Sequence, residues 1–335
     1  MSARRLTAIV ASLALFICAA YSLYWFHAAG QVQNRAQAWA ETRRSEGWSV
    51  DWQALETSGF PWHLTLSVTQ PRLVTPSGLS WAAGHLRVST LPLWPDKAHL
   101  STSGHQDIWW NGRDLGGELE SLDADLSPGT ADAHAHGMRH TSGLTFADMA
   151  LSLARLPPHP TPTGHPASWR FALSARDVGL PAAAGIAGFA EQLALAEISG
   201  RVMGAIPDGP PMAAIARWSK QGGVLELDHL AADWPPMGLE GDGTAALDPH
   251  GQPLVALSTR IRGFDSLMDR LGQSGLIDPA SARTLKTILG LMSKPDPRGR
   301  PAITAPLSIQ DGQLYLGPAR LTPVPAIPWA DFTSQ

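Results

Sequence analysis

Cysteine is almost missing: Cys18 is the only one in 335 residues. A disulfide within the chain is excluded, and so is a cysteine-based zinc site. Charge is scarce too, with 16% Asp, Glu, Lys and Arg against an ordinary quarter or so. The balance is −4, so the basic excess expected of a nucleic-acid binder is lacking. No G-x-S-x-G, P-loop, H-E-x-x-H or EF-hand loop occurs. Gly238, Gly241 and Gly243 fall in the wrong order for a dinucleotide fingerprint and predict a bend or bulge instead. These absences lead us to expect a non-enzymatic protein with no cofactor, no metal and no nucleic-acid partner.

Apolar residues, by contrast, make up 44% of the chain, enough for a core and too many for wholesale disorder. The longest apolar run is Leu6 to Phe26, 21 residues without a charge behind Arg4 and Arg5. As a helix it spans roughly 31 Å, enough for a bilayer core of about 30 Å. A cleaved signal's apolar region is shorter, about 7–15 residues. This run instead continues into Tyr21, Tyr24, Trp25 and Phe26, an aromatic girdle suited to an interface. A retained signal-anchor is the expectation. Ile17 before Cys18 argues against lipidation at that thiol. The flanking arginines favour the N-terminus inside (residues 1–5) and residues 27–335 exported, by a thin margin, because Arg35, Arg43 and Arg44 follow the anchor.

Residues 28–46 are rich in Ala, Gln, Arg and Glu and predict a helix that carries the anchor on to Gly47. Beyond it the periodicity changes to two. Trp62, Leu64, Leu66 and Val68 alternate with polar residues, as in a half-buried strand. Similar alternations recur around 85–90, 117–126, 144–153, 168–175, 223–230, 253–262 and 302–309. Asp311-Gly312 marks a hairpin. Two helical stripes interrupt the strands: Ile186, Phe189, Ala190 and Leu193; and Leu285, Ile288, Leu289 and Met292 behind Asp278-Pro279. A short third helix is expected from Asp265 to Leu271. Ala172–Leu180 and Ala256–Phe264 agree at five of nine positions, a faint internal repeat. The fold class implied is α+β: a transmembrane helix, then a large curved, mainly antiparallel sheet with two or three amphipathic helices packed on it. The Pro-rich connector at 156–166 would divide it into halves at 48–155 and 167–335, after a juxtamembrane helix at 27–47.

Two clusters invite chemistry. His134, His136 and His140 are the one metal-like set, but their small, polar surroundings fit a solvated turn better. Tryptophan is the other: 13 against three tyrosines, with eight between Trp39 and Trp110. Core filling is the plain explanation; a surface that meets lipid is the functional one. Trp62, Leu64, Leu66, Trp81 and Trp109 are the candidate lining of an apolar groove.

Gly59-Phe60-Pro61-Trp62 with its following LTLSV, the Leu91–Asp96 segment LPLWPD, and the closing Gln310–Trp329 segment resemble the bacterial family catalogued as domain of unknown function 2125. Leu225–Phe264 is similar to the wider AsmA-like group. The resemblance implies an inner-membrane-anchored envelope protein, single-pass, with its bulk in the periplasm. In AsmA-like relatives such sheets form an apolar groove associated with phospholipid movement or outer-membrane assembly. Its motifs are turn and strand signatures, so no catalytic residue carries over. Two roles remain: handling or sensing phospholipid through an apolar groove, or acting as a scaffold that binds an envelope protein at a sheet edge.

A retained anchor leaves the whole 35.7 kDa chain in the membrane pellet after carbonate extraction. Intact-mass spectrometry of that pellet checks it; a lighter product in the soluble fraction would mean cleavage.

Overall fold

A computed structural model describes residues 3–110, 112–157, 166–181, 189–207, 209, 211–275, 278–296 and 299–327. It contains four helices and twenty strands among these residues, and the strand pairs with a defined register are all antiparallel. The chain divides into two compact units, Met1–Gly116 with Ser121–Pro128, and Gly117–Glu120 with Gly129–Gln335.

The first unit begins with α1 (Ala3–Ser45), one unbroken helix of 43 residues. At 1.5 Å per residue it is about 64 Å long, twice a bilayer core. By length and composition it is able to cross a membrane. Its second half is ordered against a sheet built from β1 (Ser49–Asp51), β2 (Ala54–Ser58), β3 (Leu64–Thr69), β4 (Arg72–Val74), β5 (Leu79–Ala83), β6 (His85–Leu91), β7 (Trp94–Trp110) and β8 (Arg113–Asp114). β9 (Gly117–Ser127) gives four residues to the second unit and the rest to the first. The alternation read at 62–68 is fulfilled in β3, where Leu64, Leu66 and Val68 are buried.

The core of this unit is where α1 meets β3. Trp25, Ala29 and Leu64 are buried together, with Tyr21, Ala28 and Val32 packed around them. Trp25 buries its ring and still satisfies its indole, which donates to the His63 carbonyl at 3.0 Å. The helix ends in a clasp: the Arg44 guanidinium donates to the Val50 carbonyl. Arg43 and Arg44 also lie 5.6 and 5.7 Å from the ring centroids of Trp48 and Trp52.

The second unit is a longer ladder: β10 (Thr130–Arg139), β11 (Thr145–Arg155), β12 (Ala167–Gly179), β13 (Gln192–Met203), then, after α2 (Pro211–Lys220), β14 (Val224–Trp234), β15 (Met237–Leu247) and β16 (Pro253–Arg262). α3 (Phe264–Gln273) and α4 (Pro279–Met292) follow. β17 (Lys294–Pro295), β18 (Pro301–Gln310), β19 (Gln313–Leu316) and β20 (Ala319–Pro323) close the chain. β18 pairs with β16, so α3 and α4 form an insertion between neighbouring strands. They pack on β15 and β18, and Lys286 ties them together by a 2.6 Å ion pair to Asp269.

Local signals explain most of these boundaries. Asp278 accepts from the amides of Ala280 and Ser281, both at 3.0 Å, and so caps α4. Asp311 and Gly312 adopt φ of 52° and 66° in the β18–β19 hairpin, as a two-residue type I′ turn requires. A bulge does stand by the three glycines: the β14–β15 register slips between Leu227 and Leu230, opposite Gly243 and Gly241.

Two expectations differ from the structure, and one helix was not expected. Of the helix proposed around Ile186–Leu193, residues 182–188 lie outside the described residues. Phe189 and Ala190 are not helical, and Leu193 belongs to β13. The Ala190 amide donates to Pro235 and its carbonyl accepts from the Trp234 indole, leaving neither group for a helix. α2 was not anticipated; it is pinned by Trp218, whose indole donates to the Met203 carbonyl at 2.8 Å. The Pro-rich connector, of which 158–165 lie outside the described residues, links β11 to β12, which pair in register from Arg155–Trp169 onward. The compact units part near Gly116–Gly129 instead.

Leu64→Ala should lower unfolding stability by about 2–5 kcal/mol, as buried leucines do. Thr65→Ala, on the opposite side of the same strand, should cost under about 1 kcal/mol. Denaturant titration of the full chain compares them.

Candidate functional site

In an antiparallel sheet, residues directly opposite one another share a face, and neighbours along a strand alternate. Applied to the second unit, the registers separate two different surfaces. One row runs Ala131, Leu153, Phe171, Gly200, Leu227, Gly243, Leu257, Leu307 and Leu316 from β10 to β19. The next on that face runs Ala133, Leu151, Leu173, Ile198, Leu230, Gly241, Thr259 and Ala305. A third runs Ala135, Met149, Ala175, Ala196, Ala232, Leu239, Ile261 and Ile303. Thr259 is the one polar side chain in all three, and its hydroxyl donates to the Ala305 carbonyl at 2.7 Å.

Cover over this apolar face is uneven. At β16, beside the strands that carry α3 and α4, Leu257 and Ile261 are buried and Thr259 is 1% exposed. Across β10 to β13 the same face is open: Leu151 is 38% exposed and Leu173 39%. Phe171, Met149, Ile198 and Leu230 are only half-buried. The uncovered stretch from β10 to β13 is about 14 Å wide at the usual strand spacing, and it ends at β14, where Leu227 is buried.

The opposite face is polar. His136 and Asp148 lie opposite each other with Nδ1 2.5 Å from Oδ1. Glu197 meets His229 at 3.6 Å, Arg201 meets Glu226 at 3.4 Å, and Arg262 meets Glu240 at 2.8 Å. An open depression of about 290 Å³ lies over this sheet, lined in part by Asp132, His134, Ser152, Ser174, Glu197 and His229.

His134 and His136 lie on strand β10 and not in a turn, while His140 follows the strand and shares a 2.6 Å hydrogen bond with Ser142. Among the described residues no group of three His, Cys, Asp or Glu side chains is placed to hold a metal.

The five sequence candidates lie in the first unit and do not form one surface. Leu64 is 2% exposed beneath Trp25 and Ala29, and Leu66 is buried on the same face of β3. Trp81 is half-buried, opposite Leu73 and Ile108, with its indole donating to Gln106 at 3.2 Å. Trp109, next to Ile108 on β7, therefore points to the other face and is half exposed. Trp62 stands at the tip of the β2–β3 hairpin, 74% exposed. The apolar rows of the second unit were missed, although their signal was in the alternations at 144–153 and 168–175. The density of tryptophan drew attention to the first half instead.

The molecule is thus a protein with an N-terminal apolar helix able to anchor it and an antiparallel sheet with one apolar and one polar face. Residues 25–325 match the family described as "Uncharacterized protein conserved in bacteria (DUF2125)", and the chain belongs to it. No curated protein and no solved structure matches, and the AsmA-like resemblance gains nothing from these comparisons.

Zinc titration by calorimetry should give no stoichiometric uptake, and His136→Gln should leave that unchanged. EDTA should leave the melting temperature unaltered.

Proposed function

We propose that this protein is a single-pass, inner-membrane-anchored periplasmic protein that handles or senses phospholipid, without enzymatic activity. The observation that carries the proposal is the in-register apolar face of the second unit, open from β10 to β13. Soluble proteins rarely leave such a contiguous patch facing water without a ligand or partner for it. An acyl chain suits it: each buried CH₂ contributes about 0.8 kcal/mol, and a smooth face of Ala, Leu, Ile and Phe makes no directional demand. Gly200, Gly241 and Gly243 sit on the same face. A Cβ at any of the three would run into a carbonyl oxygen of the neighbouring strand, so close backbone approach keeps these positions bare.

Photo-crosslinking in cells tests this reading. Benzoylphenylalanine in place of Leu151 or Leu173 should form phospholipid adducts, and in place of Ser152 or Ser174, on the polar face, should not. Leu151→Asp should abolish the adducts at 173 while the protein stays folded. Adducts to one protein at positions 151 and 173, without lipid, would favour the scaffold role. Equal labelling of both faces would overturn a face-specific site.

A further inference from the structure

The first unit has apolar side chains in places where folding alone gives them no reason to be. The tips of two of its hairpins lie at the same end of the sheet, because β3 pairs with β6 and Leu64 stands opposite Thr90. One tip is the β2–β3 loop at 59–63. The other is the two-residue turn Pro92-Leu93 between β6 and β7, closed by the Leu91–Trp94 pair. Turns at such positions are ordinarily polar. Here Phe60 is 49% exposed, Trp62 74%, Leu93 64% and Trp94 56%.

Both tips are fastened to one short stretch of α1. The Tyr21 hydroxyl donates to the Pro61 carbonyl at 2.5 Å, and the Tyr24 hydroxyl donates to the Pro92 carbonyl at 2.7 Å. Phe26 stacks on Phe60 with centroids 5.8 Å apart, and Trp25 meets the same ring edge-on at 5.4 Å. From Leu6 to this stretch is 15–20 residues, about 22–30 Å of helix, which is the depth of a bilayer's hydrocarbon core. Immediately before it Leu13, Leu15, Phe16 and Ile17 are all well exposed. The apolar surface of the helix therefore runs without a break into the apolar surface of the tips.

We propose that the 59–63 loop and the Leu91–Trp94 turn seat in the headgroup–acyl boundary of the membrane that α1 crosses, so that the first unit stands on the bilayer by two hairpin tips as well as by its helix. The occupant is a lipid bilayer because the patch continues the exposed apolar surface of α1. Its composition is also that of an interface: Trp, Tyr and Phe, with the polar atoms of Tyr21, Tyr24 and Trp25 satisfied by backbone carbonyls. The proposal rests on α1 being a retained membrane helix, and the experiment separates the two.

Cys18 is the lone thiol, so C18A gives a cysteine-free chain into which single spin labels can be placed. Full-length protein in phospholipid vesicles, labelled at Trp62→Cys or Leu93→Cys, is compared by oxygen and nickel-chelate accessibility. Leu13→Cys serves as the lipid standard and Ser77→Cys as the aqueous one. Ser77 follows Pro76, which lies against Gly47 beyond the far end of α1, and that end is about 28 Å of helix from Phe26. The target side chains are exposed, so labelling is expected to leave the fold intact, and circular dichroism of each labelled protein checks it.

Oxygen-rich, nickel-poor signals at 62 and 93, severalfold above the ratio at 77 and approaching that at 13, are expected. Lipid-like behaviour at 13 with water-like behaviour at 62 and 93 would overturn the footing and spare the anchor. Water-like behaviour at 13 would remove the anchor and the footing together. Tips shielded from both reagents would mean that protein covers them, and the proposal would fall.

Discussion

Eight neighbouring strands of the second unit keep their alternation in step, so that one face stays apolar from Ala133 on β10 to Ala305 on β18. Everything else in that unit answers to this constraint. A slip of one residue in any pairing would carry an entire strand's leucines to the charged side, so the register is strongly specified. The β14 bulge absorbs its extra residue without reversing the faces: Leu227 and Leu230 both remain with the apolar rows. An apolar sheet face must be covered by something. Within the chain α3 and α4 are at hand for the β15–β18 end, and Leu257, Thr259 and Ile261 are buried there. From β10 to β13 that demand is unmet.

In the first unit the cover is α1 itself, which changes what an anchor means. Trp25 lies inside the core with Leu64, and Ala40, farther along the same helix, is fully buried. The apolar stretch is thus not a tether joined by a loose linker. It is the first turns of a helix whose later turns complete a globular core, and the Arg44 clasp to Val50 closes its far end. Were this helix to cross a bilayer, it would fix the height and tilt of the sheet it carries, because none of its backbone hydrogen bonds could be lost cheaply inside lipid.

Much of this architecture is legible in the sequence because it is written in local chemistry. Asp278-Pro279 marks a cap and a first helical residue, Asp311-Gly312 a type I′ turn, and the alternations at 253–262 and 302–309 two paired strands; each depends on residues within one turn of one another. The helix stripe ending at Leu193 misled for the opposite reason. Ala190 is claimed by Pro235 and Trp234, some 45 residues distant, and tertiary hydrogen bonds outweighed a periodic pattern. The strands from 94 to 110 and from 237 to 247 were hidden by polar or glycine-rich stretches that break the period-two signal. Least legible was the candidate site. Leu151 and Leu173 look like ordinary core leucines, and only the register shows that they stand side by side with little above them.

The polar interactions of the second unit fall into two kinds. The ion pairs across β10 to β14 lie mostly on partly or well exposed side chains, where such pairs contribute about 0–1 kcal/mol each. Their effect is to keep one face wet. Asp296 is different: it is buried and held by both Arg262 and Arg300. It closes the β17–β18 turn, with the Arg300 amide donating to it at 2.9 Å. Among the described residues the most enclosed charge cluster therefore serves a turn, and it is not what distinguishes either unit. Two apolar surfaces are: the sheet face of the second and the hairpin tips of the first. A hydrophobic ligand or a membrane meets such surfaces through area and shape, without a fixed set of hydrogen bonds. That is the same property that leaves so little of the function written in motifs.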